Sequence, residues 1–156
     1  MKLRTAVSAF AAALVLVLAG CATDGPALTE VSDGLNDYAG AEITTAGRVG
    51  RGVPVSGTDL TAYQFGDGEK TVAVLSTAAP GNGESRTVTG RVVPFTGEAA
   101  TLEEEQEGVR DAIGAYLEEA GVSEDALEAA TDQSFNLMRT FTIANGATFF
   151  LLEEQG

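Results

Sequence analysis

The sequence predicts a mainly β protein whose sheet curls tightly, with a helical segment inserted late in the chain. Three observations carry that expectation. Between residues 41 and 95, runs of strand length rich in Val, Thr and aromatics are separated by Gly- and Pro-containing turn signals. Two of those runs hold a glycine in mid-strand, Thr45-Ala46-Gly47-Arg48-Val49 and Thr87-Val88-Thr89-Gly90-Arg91-Val92. A glycine there weakens a flat strand, so it marks a bend or bulge. After residue 100 the apolar spacing changes from two to the helical period.

Residues 41–55 place Ile43, Val49, Val53 and Val55 among Gly47, Gly50 and Gly52, a first strand interrupted by bends. Residues 58–65 alternate Leu60, Ala62 and Gln64 against Thr61, Tyr63 and Phe65. Asp67-Gly68 follows, a hairpin signal because such turns need positive φ. Residues 71–77, with Val72, Val74 and Leu75, form the return strand, and Pro80-Gly81-Asn82-Gly83 marks a loop. The fourth strand occupies residues 85–95, with Val88, Val92 and Val93. Thr101 and Glu104 then make a capping box. Val109, Ala112, Ile113, Tyr116, Leu117 and Ala120 share one helical face before Gly121 supplies a stop. Ser123 with Glu124 and Asp125 opens a shorter helix to about residue 130, and the two helices are expected over one mouth of the curled sheet. Asn145-Gly146 between residues 140–144 and 147–152 predicts a closing hairpin, with a single bulged strand as the alternative.

The run from Tyr38 through Gly47-Arg48-Val49, the hairpin, and Thr87-Val88-Thr89-Gly90-Arg91-Val92-Val93 together resemble the small OB-fold domains of bacterial exported lipoproteins. The resemblance covers about residues 38–95. It implies an OB-like small β-barrel of five to six strands, closed by pairing of the first strand with the fourth, with glycines that let both strands coil. The chain departs from that pattern in one respect. The helix of the fold commonly lies between the third and fourth strands, whereas here the helices follow the fourth.

At the start of the chain, Lys2 and Arg4 precede an apolar run from residue 6 to 19, the n- and h-regions of a secretory signal. The run is shorter than the ~20 residues a membrane span requires. It ends in Leu18-Ala19-Gly20-Cys21, which resembles the lipobox of bacterial lipoprotein precursors. The resemblance implies a diacylglyceryl group on the Cys21 sulfur, cleavage just before it, and an anchor on the outer face of the cell membrane, or facing the periplasm in a cell with two membranes. A chance cysteine after a signal is the competing reading. Cys21 is the only cysteine, so no intramolecular disulfide is possible. The expected organisation is a helical signal peptide over 1–20, a lipidated Cys21 and flexible tether over 21–37, and a barrel domain over 38–154 with a helical insertion at 101–131.

Removing residues 1–20 takes away Lys2 and Arg4, so 9 basic side chains fall to 7 against 23 acidic ones, a net charge of −16. Nucleic acid is not expected as a partner, and anionic headgroups are expected to be repelled, because binding either depends on neutralising phosphates with Lys and Arg. The absence of His removes the commonest general base and metal ligand. Glu103-Glu104-Glu105 and Glu107 suggest a cation site, but they sit at a helix start, where carboxylates favour the dipole, so no metal site and no cofactor are expected. Arg48 and Arg91, with Arg51 and Arg86, lie on neighbouring strands and suggest an anion- or partner-binding patch; the plainer reading pairs them with Glu42, Glu84 and Glu98. Tyr63 and Phe65 fall on the strand that OB domains use to hold ligands, with core packing the plainer reading.

The expected function is a lipid-anchored, non-enzymatic binding or envelope-associated module, held to the membrane by its anchor and taking a protein or small ligand. A carboxylate-based envelope enzyme acting on glycans and a purely structural surface lipoprotein are the alternatives. Two or more buried carboxylates about 5 to 10 Å apart would favour the enzyme. A continuous exposed apolar or aromatic face would favour binding.

Overall fold

The computed structural model describes residues 25–95 and 103–155. The signal peptide, Cys21, Glu98 and the Thr101 side of the capping box lie outside the described residues.

Two short helices, α1 (Leu28–Asp33) and α2 (Leu35–Tyr38), precede β1 (Glu42–Pro54), β2 (Thr61–Gly66), β3 (Thr71–Ser76) and β4 (Ser85–Pro94). Helices α3 (Glu103–Glu119) and α4 (Glu124–Asn145) follow, and β5 (Phe149–Glu153) ends the order. The five strands close a barrel in the order β1-β2-β3-β5-β4. As the resemblance implies, β1 pairs with β4, from Glu42↔Arg91 to Arg48↔Ser85. β1 then bends through a register shift between Val49 and Gly52 and pairs with β2.

Mid-strand glycines make that closure possible. A Cβ on Gly47 would stand 2.5 Å from the Gly66 carbonyl oxygen and 2.8 Å from the Phe65 ring. On Gly90 it would meet the Leu152 carbonyl oxygen at 2.7 Å, and backbone cannot move aside as a side chain can.

Alternation along the strands builds two cores. The inner one holds Ile43, Val49, Tyr63, Phe65, Val72, Val74, Val88, Val92, Phe149 and Leu151, contributed by all five strands. The outer one sets Ala62, Ala73, Leu75, Val93, Phe150 and Leu152 against Ile113, Leu117, Phe135, Met138 and Phe141 of the two long helices. These helices therefore lie along the outside of the β2, β3, β5 and β4 walls, and not over a mouth. The mouth is closed instead by α1, whose Leu28 and Val31 are fully buried in the inner core.

The stretch expected to be a flexible tether is thus largely folded. Leu28 N–H donates to Asp67 Oδ2 at 3.0 Å, and the Ser32 and Thr148 hydroxyls lie 3.1 Å apart. The i, i+3 spacing of Leu28 and Val31 gives one helical turn an apolar face, and the barrel supplies the surface that stabilises it.

The closing hairpin is also corrected. Residues 140–145 continue α4, so the helical insertion runs to Asn145, beyond the expected residue 131. Gly146 at φ 63° and ψ 29° ends the helix in the left-handed conformation, its N–H bonded back to the carbonyls of Ile143 and Thr142. A single strand follows, parallel to β3 (Val74↔Leu151) and antiparallel to β4 (Val92↔Leu151). Its five residues are all buried, as apolar character on both faces requires.

Candidate functional site

Three of the four arginines singled out in the strand region lie outside the barrel, and one lies within it. Arg86 shares the inward parity of Val88, while Arg48 and Arg91 point outward and are exposed. Arg48 Nη1 donates to the Gly83 carbonyl at 2.9 Å. Arg91 sits opposite Glu42 in the ladder, six β1 positions from Arg48, about 20 Å along the strand. Tyr63 is fully buried inside. Arg48, Arg91 and Tyr63, the side chains singled out for anion or partner binding, are therefore not brought together. Among the described residues, Arg48 and Arg91 form no ion pair with Glu42 or Glu84 either.

The interior instead contains a charged cluster. Glu153, 8% exposed, accepts the Tyr63 hydroxyl at 2.7 Å on Oε1 and Arg86 Nη2 at 2.6 Å on Oε2. The Arg86 guanidinium also lies 5.8 Å from the Tyr63 ring centroid. Burial pushes the Tyr63 phenol far above its ordinary range, and its hydrogen bond to the Glu153 carboxylate adds to the shift. Tyr116, from α3, donates to the Glu153 backbone carbonyl at 2.6 Å, and burial likewise pushes its phenol up. Chemically the cluster is a satisfied ion pair: both carboxylate oxygens are engaged, and neither phenol ionises near neutral pH. Glu153 lies 67 positions from Arg86 and 90 from Tyr63, so no local pattern in the sequence announces it.

A groove of about 690 Å³ lies where β1 bends across the β2–β3 turn, lined by Gly47, Arg48, Gly50, Gln64, Gly66 and Asp67 among others. Its glycines leave backbone on the surface, and Arg48 is its one cation. Asp67 at its rim is committed to structure. Burial alone would raise its pKa, but the N–H groups of Leu28, Glu69 and Lys70 outweigh that and hold it below the ordinary carboxylate value.

The outer face of β2 and β3, where OB domains hold ligands, is not available. Ala62, Ala73 and Leu75 are buried beneath α4. Among the described residues Ile143, 53% exposed, is the one large exposed hydrophobic side chain, so no continuous apolar face exists there. Glu153 is likewise the one buried carboxylate among the described residues. No three potential metal ligands gather among them. Comparison of this chain with family models, with curated proteins and with solved structures finds no match.

Proposed function

We propose that this chain is a lipid-anchored extracytoplasmic lipoprotein whose barrel is a non-enzymatic, envelope-associated module. The observation that carries the reading is the apolar leader ending in Leu18-Ala19-Gly20-Cys21, the only cysteine in the chain. Two acyl chains are enough for stable anchoring. Among the described residues no helix is long and apolar enough to cross a membrane. Against a carboxylate enzyme stands the state of Glu153, whose two oxygens are already held by Arg86 and Tyr63. A glycosidase needs a second carboxyl group at a defined separation, and no second buried one accompanies it among the described residues. The glycine-lined groove is the surface best formed for a ligand, and its exposed backbone and single arginine suit a polar, extended one.

The test is intact-mass analysis of the N-terminal peptide together with membrane fractionation of the wild type and Cys21→Ser. A diacylglyceryl-modified Cys21 and release of the variant from membranes are expected. An unmodified thiol, or a variant still recovered in membranes, overturns the assignment.

A further inference from the structure

Asn-Gly occurs twice in the chain, at Asn82-Gly83 and at Asn145-Gly146. In such a pair the backbone nitrogen of the glycine can attack the side-chain carbonyl carbon of the asparagine, because glycine has no side chain to obstruct the approach. Whether the attack takes place depends on how freely the local backbone leaves its native conformation.

The two sites differ in that freedom. Gly81 to Glu84 form a turn closed by the Glu84 N–H, which donates to the Gly81 carbonyl at 3.0 Å. Gly83 lies at φ +92°, a left-handed conformation that suits the third residue of a turn and favours glycine there. The turn therefore fixes glycine directly after Asn82. Every residue from Gly81 to Ser85 is exposed, so no buried apolar side chain holds the turn down. Its clamps are hydrogen bonds to β1. Gly83 N–H donates to the Val49 carbonyl at 2.7 Å, Val49 N–H donates to the Glu84 carbonyl at 2.8 Å, and Arg48 Nη1 donates to the Gly83 carbonyl at 2.9 Å.

Asn145 is placed differently. Its Nδ2 is buried, and Gly146 N–H bonds to the carbonyls of Ile143 and Thr142 at the end of a 22-residue helix. Freeing that nitrogen means unwinding the turn that buries Phe141 and Thr142 against the outer wall.

From this contrast we infer that Asn82 is a site of spontaneous covalent modification, converting its own amide to a carboxylate at a rate set by how often the turn lets go of β1. With the turn open, the Gly83 nitrogen loses its proton to solvent and bonds to Asn82 Cγ. The Cγ–Nδ2 bond breaks, and ammonia leaves with a proton, so a cyclic imide remains. Water opens the imide at one of its two carbonyls, giving aspartate or isoaspartate. In sum one water is consumed and one ammonia released, with no redox change. Both products add a negative charge one residue from the carbonyl that Arg48 holds. Arg48 is the one cation lining the glycine groove, so the new carboxylate is set to neutralise it. The isoaspartate form also lengthens the main chain by a methylene, which puts the paired bonds of Gly83 and Glu84 to Val49 out of register.

The experiment incubates the folded full-length chain in mildly alkaline buffer and follows the tryptic peptides 71–86 and 140–156 by mass spectrometry. The first is expected to split into two products of equal mass, aspartate and isoaspartate, each heavier by the exchange of an amide for an acid. It is expected to convert at least about tenfold faster than the second, the factor that ~1.4 kcal/mol of extra opening free energy at Asn145 supplies. Asn82→Gln is expected to abolish the conversion, because the larger ring forms slowly. Arg48→Met removes one clamp and is expected to speed conversion several-fold, with an unchanged thermal transition confirming the fold. No conversion at Asn82, conversion only after unfolding in urea, or equal rates at Asn82 and Asn145 overturns the site. An unchanged rate in Arg48→Met overturns its control by β1.

Discussion

Replacing Glu153 by Leu separates the two possible roles of the ion pair inside the barrel, because it removes the acceptor of both Arg86 and Tyr63 at nearly constant volume. Glu153 is 8% exposed, its bonds to Tyr63 and Arg86 are 2.7 and 2.6 Å, and the Tyr63 hydroxyl belongs to a fully buried residue. The variant leaves a buried phenol without an acceptor, at about 1–3 kcal/mol. It also leaves a guanidinium, on a side chain 20% exposed, without its counter-charge. Together the loss is expected at about 3–5 kcal/mol, discounted toward the lower end because Arg86 reaches water. The double variant Arg86→Met with Glu153→Leu removes both charges, so it is expected to recover most of that loss even though Tyr63 stays unpaired. Adding Tyr63→Phe recovers the remainder. Urea midpoints of the single, double and triple variants, compared at a common m-value, measure this directly. A single variant within about 1 kcal/mol of wild type, or a double variant no better than the single, would refute the reading of Glu153 as a buried charge neutralised by its partners.

Three further outcomes follow from the geometry. Asp67→Ala removes the acceptor of the Leu28, Glu69 and Lys70 amides and is expected to cost about 1–3 kcal/mol, most of it at the buried Leu28 end; faster amide exchange at Leu28 and Val31 with the rest of the barrel unchanged checks it. Since the folded-state pKa of Asp67 lies below its unfolded value of 3.8, its contribution is present above that pH and is lost as pH falls through the folded pKa, so the difference between wild type and Asp67→Ala should close in acid. Gly90→Ala is expected to destabilise by about 1–3 kcal/mol or more, because the new methyl meets the Leu152 carbonyl at 2.7 Å; a thermal midpoint equal to wild type would contradict it. Ser134 and Thr142 are fully buried on α4 with hydroxyls that find no partner among the described residues, so Ser134→Ala and Thr142→Val are expected to be neutral or to stabilise by about 1 kcal/mol, read from the same melts.

The strands and their closure are legible in the sequence because local chemistry and global topology agree there. Gly47 and Gly90 sit where a Cβ would strike a neighbouring strand, and alternation assigns Ala62 to one face and Tyr63 to the other. Asn145-Gly146 misleads for a specific reason: a tight hairpin and a helix C-terminus both call for positive φ, and glycine satisfies either. Thr140, Thr142 and Ile143 have strand propensity, but Phe135, Met138 and Phe141 pack α4 onto the outer wall, and that packing overrides propensity. The helix at Leu28 is visible only as one apolar turn, too short to stand without the barrel mouth it closes. The Arg86–Glu153–Tyr63 cluster has no local signature, since its members come from three strands and meet only through the barrel's closure. Arg48 and Arg91 stand out in the sequence as rare cations, yet whether they face inward or outward follows from strand parity and not from composition.

The placement of β5 has a further consequence, for the order in which the chain completes itself. This strand is made after the other four, and it supplies the bonds on both sides that join β3 to β4. Until it arrives, two strand edges stand open and the helices have no finished wall to rest on. Assembly must therefore wait for contacts between distant parts of the sequence, which makes it slow. A chain made only as far as the second long helix therefore keeps an unclosed, pliable sheet.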